Sequence, residues 1–219
     1  MLIVAQPKSS STSLLATLRE VSGLTSSAQQ CYIDGSRVRD CFSNPPEFPV
    51  LREIHSDVAN YEPSFLDQWT DADVFFKQHV VPSPHNLSLL QEKRYVILRR
   101  DPEASYQAYL RSLQFMDGFC ARYTRFRLLE DRSQSVRKEL ETFHERYQDP
   151  PGETLALTYE NVTKRPARTV SCVLDFFGVS YAEGEDVELA RRRYSRDERR
   201  WWRTPAFMRI VDPFLRPFL

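Results

Sequence analysis

The sequence contains no apolar run approaching the roughly 20 residues needed to cross a bilayer. It also has no cysteine pair in C-x-x-C spacing and no excess of either charge. The first absence excludes a transmembrane helix. The apolar start Met1-Leu2-Ile3-Val4-Ala5 is too short for the core of a signal peptide and runs straight into a polar loop, so cytoplasmic residence is the expectation. The four cysteines, Cys31, Cys41, Cys120 and Cys172, are scattered, which argues against a zinc knuckle or a thioredoxin-type site and for reduced thiols. No metal is expected. Thirty basic residues balance thirty acidic ones, so the main task is not to coat nucleic acid or anionic membrane. That balance still leaves room for a local basic pocket around a small polyanion.

What is present suits one globular domain. A chain of 219 residues can build one α/β core with little room for a second. Its 41% hydrophobic and 27% charged content is near the globular average. The expected domain runs over 1–219, with a core at 1–180 and a basic, aromatic extension at 181–219. Leu2 to Ala5 reads as a buried parallel strand, and Ser13 to Glu20 as a helix. Further strands are expected at Val74–Lys77, Tyr95–Leu98 and Leu155–Thr158. Helices are expected between Leu113 and Tyr147 and around Thr169–Phe177, the latter stopped near Gly178. The paired prolines of residues 43–49 mark an irregular connection. Strands alternating with helices predict an α/β fold with a central parallel sheet flanked by helices. In such sheets ligands bind at the carboxyl ends of the strands.

One such end carries Pro7-Lys8-Ser9-Ser10-Ser11-Thr12. A loop feeding a helix N-terminus offers unpaired N–H groups and a positive dipole end, to which Lys8 adds a charge and the serines and Thr12 add hydroxyl donors. That chemistry suits a phosphate or a sulfonate; a serine-rich turn capping an ordinary helix would read the same way. The loop has no glycine, and its lysine precedes the hydroxyl run. It is therefore not a Walker A loop, which argues against a P-loop nucleotide kinase.

Pro7-Lys8-Ser9-Ser10-Ser11-Thr12-Ser13-Leu14 resembles the P-K-S-G-T-T-W-L motif of the PAPS-dependent sulfotransferase family, with Ser10 at the usual glycine and Ser13 at the frequent tryptophan. Phe76-Lys77-Gln78-His79 is similar to the family's K-T-H segment, and Tyr95–Leu98 followed by Arg99-Arg100-Asp101-Pro102 to its strand before R-[DN]-P. Leu157-Thr158-Tyr159-Glu160-Asn161-Val162 resembles its Y-E-D-L segment.

The resemblance implies a P-loop NTPase-like three-layer domain that binds 3′-phosphoadenosine 5′-phosphosulfate (PAPS). The implied reaction moves a sulfuryl group to a hydroxyl or amine of a small-molecule, lipid or carbohydrate acceptor. Carried over residue by residue, His79 is the general base, as an imidazole suits, with Lys8 and Lys77 stabilising charge on the transferring group. Lys8, Ser9, Ser10, Ser11, Thr12 and Ser13 hold the 5′ end. Arg100 takes the 3′-phosphate, a bidentate pairing natural to guanidinium, and Tyr159 lies near the adenine. The family's serine eight residues after that arginine is Ala108 here, and Ser105 or Ser112 stands one helical turn away. Arg191–Arg203 keeps the arginines and tryptophans of the family's basic tail without its glycines, and an amphipathic surface helix would read alike. The departures leave a second reading, a non-catalytic or weakly active nucleotide-binding module.

Overall fold

The first strand is dictated by its composition. Leu2, Ile3, Val4 and Ala5 are apolar in succession, and each is fully buried. A strand apolar on both faces belongs mid-sheet, with helices above and below. The computed structural model describes residues 1–27, 42–43, 46–54, 58–61, 63, 66, 74–115 and 132–181, and it has that arrangement.

In chain order the elements are β1 (Leu2–Ala5), α1 (Ser11–Ser22), β2 (Thr25–Ser27), β3 (Phe42–Ser43), α2 (Pro49–Ile54), β4 (Val58–Tyr61) and β5 (Val74–Val80). There follow α3 (Pro84–Leu90), β6 (Arg94–Arg99), α4 (Pro102–Phe115), α5 (Ser133–Arg146), β7 (Glu153–Thr158), α6 (Tyr159–Lys164) and α7 (Pro166–Phe177). The seven-stranded sheet runs β3-β4-β5-β1-β6-β7, with β2 also paired to β5. β1 is parallel to both neighbours, Leu2 facing Phe76 on one side and Tyr95 on the other. β6 and β7 are parallel, as are β4 and β5 and β2 and β5, and among the described strands only β3 is antiparallel to its neighbour, β4.

Alternation along the strands builds two cores. Leu2, Val4, Phe76, Tyr95 and Ile97 pack on one face with Tyr106 and Tyr109 of α4 and Val136, Leu140 and Phe143 of α5. Ile3, Ala5, Phe75, Val96 and Leu98 pack on the other with Leu14, Leu15 and Leu18 of α1 and Val170, Val173 and Leu174 of α7. The chain therefore leaves β1 toward one face and leaves β5 and β6 toward the opposite face. Such a reversal opens a crevice at the carboxyl ends of the strands.

Local chemistry sets the helix ends. Ser83 caps α3, its hydroxyl accepting from Asn86 N, with Pro84 at the first helical position. Thr158 and Asn161 form a reciprocal capping box on α6. Gly178 ends α7 in the left-handed conformation, with Val179 N donating to Leu174 O.

The expected strands are all present, and β5 runs on to Val80 because β4 pairs with His79 and Val80. His79 is thus inside a strand, not just past its end. The helix expected between Leu113 and Tyr147 is described at its two ends. α4 begins much earlier, at Pro102, whose fixed φ suits a first helical position. α5 ends at Arg146, and residues 116–131 lie outside the described residues. In the proline-rich connection Pro49 opens α2 for the same reason as Pro102. Phe48 and Phe75 are buried, one in each core. The side chain of Ser112 and the 191–203 segment lie outside what is described. No helix among the described residues is long and apolar enough to cross a membrane.

Candidate active site at the carboxyl end of the central strand

The loop after β1 has an unusual backbone. Lys8 and Ser10 are the non-glycine residues with positive φ among the described residues, at 63° and 66°. The sign of φ therefore alternates through Lys8, Ser9, Ser10 and the start of α1. Such alternation is the backbone pattern of concavities that can take an anion, here next to a helix N-terminus, with the Ser9 N–H itself donating to Gln6 O at 3.3 Å. Ser10 is also the N-cap of α1, and its side chain makes no capping bond.

The hydroxyls of the loop differ in placement. Ser9 is fully enclosed, and its Oγ is buried with no hydrogen-bond partner among the described residues. Leaving a buried hydroxyl unpaired costs about 1–3 kcal/mol, which makes Ser9 Oγ a donor with spare capacity at this loop. Ser11 is buried, Ser13 is half-buried, and Thr12 faces solvent. The Lys8 ammonium stands 4.8 Å from the centre of the Tyr109 ring, a cation–π contact that holds it at the loop.

Arg100 reaches this loop from the end of β6. Its Nη1 donates to Lys8 O at 2.7 Å, and its guanidinium lies 3.9 Å from the centre of the Tyr159 ring. The Arg100 N–H donates to Gln6 Oε1 at 3.1 Å. The adjacent Arg99 points elsewhere, donating from Nη1 to Tyr147 O at 3.0 Å and to the Gln148 side chain. Of the two arginines, only Arg100 joins the anion loop.

Lys77 and His79, two residues apart on β5, project to the same face of the sheet, the face covered by α1. Both are buried. His79 Nδ1 lies 2.5 Å from Ala5 O, and its Nε2 lies 3.4 Å from Lys77 Nζ. A carbonyl oxygen can only accept, so Nδ1 carries the hydrogen and the Nε2 lone pair of the neutral ring is directed to Lys77. The main chain of β1 thus fixes the tautomer of His79, two residues before the anion loop begins.

The remaining histidines divide in an instructive way. His85 donates from Nε2 to Tyr61 O at 2.7 Å and holds the β4 end. His144 is half-buried with Nδ1 3.2 Å from Gln6 Oε1. Docking of α5 over the strand ends turns it inward. Ser105 is fully enclosed, its hydroxyl accepting from Gln6 Nε2 at 3.3 Å.

Gln6, Tyr109 and His144 are the residues of this cluster that the sequence reading passed over. Gln6 had one available signal: a polar side chain at the end of a wholly apolar strand. Tyr109 and His144 had none, because their positions depend on how helices dock. Among the described residues, no group of acidic, histidine or cysteine side chains could hold a metal ion.

A family model described as "Sulfotransferase family" matches residues 54–183. No curated protein matches the chain. Among solved structures, a sulfotransferase from Alicyclobacillus acidocaldarius shares 14% identity at TM-score 0.48, over 90% of this chain and 91% of that one. A mouse sulfotransferase complexed with PAP shares 13% identity at TM-score 0.48, over 88% of this chain and 62% of that one. A retinol dehydratase in complex with androsterone and inactive cofactor PAP shares 14% identity at TM-score 0.45, over 88% and 63%. The chain spans less than two thirds of the last two proteins.

Proposed function

The chain belongs to the sulfotransferase family, and on that premise we propose that it transfers a sulfuryl group from PAPS to a hydroxyl or amine. The acceptor is a small molecule, a lipid or a carbohydrate. The observation that carries this reading is the pairing of His79 Nδ1 with Ala5 O, which presents a neutral imidazole base at Nε2 beside an anion loop.

The residues fit the donor at both of its charged ends. The alternating loop, the α1 N-terminus, Lys8 and the enclosed Ser9 hydroxyl suit the 5′-phosphosulfate, with Ser10, Ser11, Thr12 and Ser13 lining the same turn. Arg100, joined to the loop through Lys8 O, suits the 3′-phosphate. Tyr159 flanks Arg100 where the adenine side of the nucleotide would lie. Ser105, behind Gln6, supports this region through that side chain. When bound, the donor supplies a sulfuryl group activated by a phosphate leaving group.

His79 takes the acceptor's proton at Nε2. Lys77 Nζ must yield its 3.4 Å contact with Nε2 as the acceptor approaches. It then remains as a cation beside the reacting atoms, the preorganised charge that such transfers require. Lys8 supplies the second cation from the loop side.

Calorimetry with PAP, PAPS and ATP tests the cofactor. Preference for the 3′-phosphorylated nucleotides is expected, and preference for ATP or no binding at all would overturn the reading. Turnover of PAPS against a mixed panel of phenols, sterols and sugars tests the base. In His79→Ala it should fall by about 10²–10⁴-fold with PAP binding nearly unchanged, and retained turnover removes His79 from that role. PAP binding by the wild type without turnover of any acceptor would assign a nucleotide-binding module instead.

A further inference from the structure

Gln6 is completely buried between the central strand and the anion loop, a costly place for a primary amide unless all its groups are paired. Its bonds can be assigned without ambiguity. The Arg100 main-chain N–H can only donate, so the side-chain atom facing it at 3.1 Å is oxygen. That oxygen also faces His144 Nδ1 at 3.2 Å, which must then carry a hydrogen. The amide nitrogen donates to Ser105 Oγ at 3.3 Å. Through its main chain the same residue accepts from Ser9 N at 3.3 Å and donates to Leu98 O at 2.8 Å. One residue thus ties together the loop, the end of β6, the first turn of α4 and the last turn of α5.

Three of its contacts hold Arg100 in place. Gln6 Oε1 fixes its main chain, Lys8 O fixes Nη1, and the Tyr159 ring fixes the plane of the guanidinium. The first of these decides where the side chain starts, and the other two only orient what has already been placed. A guanidinium that selects a phosphate by two parallel bonds tolerates little error in aim.

We infer that Gln6 is a positioning residue that sets this site's preference for nucleotides bearing a 3′-phosphate, acting through Arg100 and held in turn by His144 and Ser105. The inference rests on the proposed assignment of Arg100 to the 3′-phosphate. Gln6 touches no ligand in this scheme; it works by holding the arginine that does.

The test compares binding of adenosine 3′,5′-bisphosphate (PAP) with adenosine 5′-monophosphate (AMP), by calorimetry, in wild type and Gln6→Met. The variant keeps the length of the side chain and removes every polar group. The PAP-to-AMP affinity ratio is expected to fall about tenfold, the size of one charge-assisted hydrogen bond, while AMP affinity moves less than about twofold. A residue that only stabilised the fold would lower both affinities together and leave the ratio alone, and that result overturns the inference. Should Gln6→Met fail to fold, His144→Phe carries the test from the half-buried face of α5. It keeps a ring, removes one donor from Oε1, and should lower the same ratio by a smaller factor; an unchanged ratio overturns the inference. A wild type that does not distinguish PAP from AMP overturns the functional reading itself. The two failures are therefore separable.

Discussion

Ser10 shows how a single residue can record a compromise. Its φ of 66° lies where an L-residue pays a steric penalty of about 1 kcal/mol or more, at the position where the family resemblance places glycine. Ser10→Gly should remove that strain, offset in part by the greater freedom glycine has when unfolded. The net gain is expected to be about 0.5–1 kcal/mol, read as a melting temperature about 1–4 °C higher. Ser10→Val, with a branched side chain in the same conformation, should lower it. The helix was expected from Ser13 and begins at Ser11, so the N-cap place of Ser10 was not plain from the sequence, although its tension with the family pattern was legible. The second left-handed residue, Lys8, was not, since nothing about a lysine announces a positive φ.

At the level of elements, two features outside the site hold the layers together. Glu139 of α5 is buried, and its carboxylate accepts from Val50 N at 3.1 Å and Leu51 N at 2.7 Å. A side chain on one helix thus satisfies the first turn of another, α2, where a negative charge also meets the positive helix end. Glu139→Ala leaves two buried donors unpaired and should cost about 2–4 kcal/mol in urea unfolding; Glu139→Gln should cost less. Gly152, just before β7, has φ +82°, and a Cβ there would lie 2.5 Å from Leu90 O and 2.7 Å from Lys93 O. Those are main-chain atoms that cannot step aside. Gly152→Ala should therefore cost more than about 3 kcal/mol, and an unchanged unfolding midpoint would refute the account.

The elements were the most legible part of the chain. Strands at 2–5, 74–77, 95–98 and 155–158 were expected from apolar, β-branched runs and are all present. The start of α4 was missed although Pro102 marks it, because helical periodicity is plain only farther along. The Gln6 network was illegible for a different reason. It joins residues as far apart as 6 and 144, and no local pattern encodes which helix will dock over a strand end.

At the scale of the whole molecule, two of the buried tyrosines, Tyr95 and Tyr147, carry a pH dependence. Tyr95 OH donates to Pro151 O at 2.6 Å and Tyr147 OH to Val80 O at 2.9 Å. Burial raises both well above the ordinary tyrosine range, and a charge on Tyr95 would raise Tyr147 further. Because the folded values lie above the unfolded value near 10, the unfolded chain releases protons first. Stability should be level below about pH 10 and fall as the pH rises further. Melting temperatures measured from pH 8 to 12 should show that break, and Tyr147→Phe should make the alkaline slope shallower.

The placement of β1 has a consequence for how the chain acquires its shape. The first strand in sequence is the middle strand in space, and both of its neighbours come from far along the chain. Its four apolar residues stay uncovered until β5 and β6 have formed and closed around them. Pairings of such long range make for slow folding, on the order of milliseconds to seconds, with a sticky segment exposed in the interval.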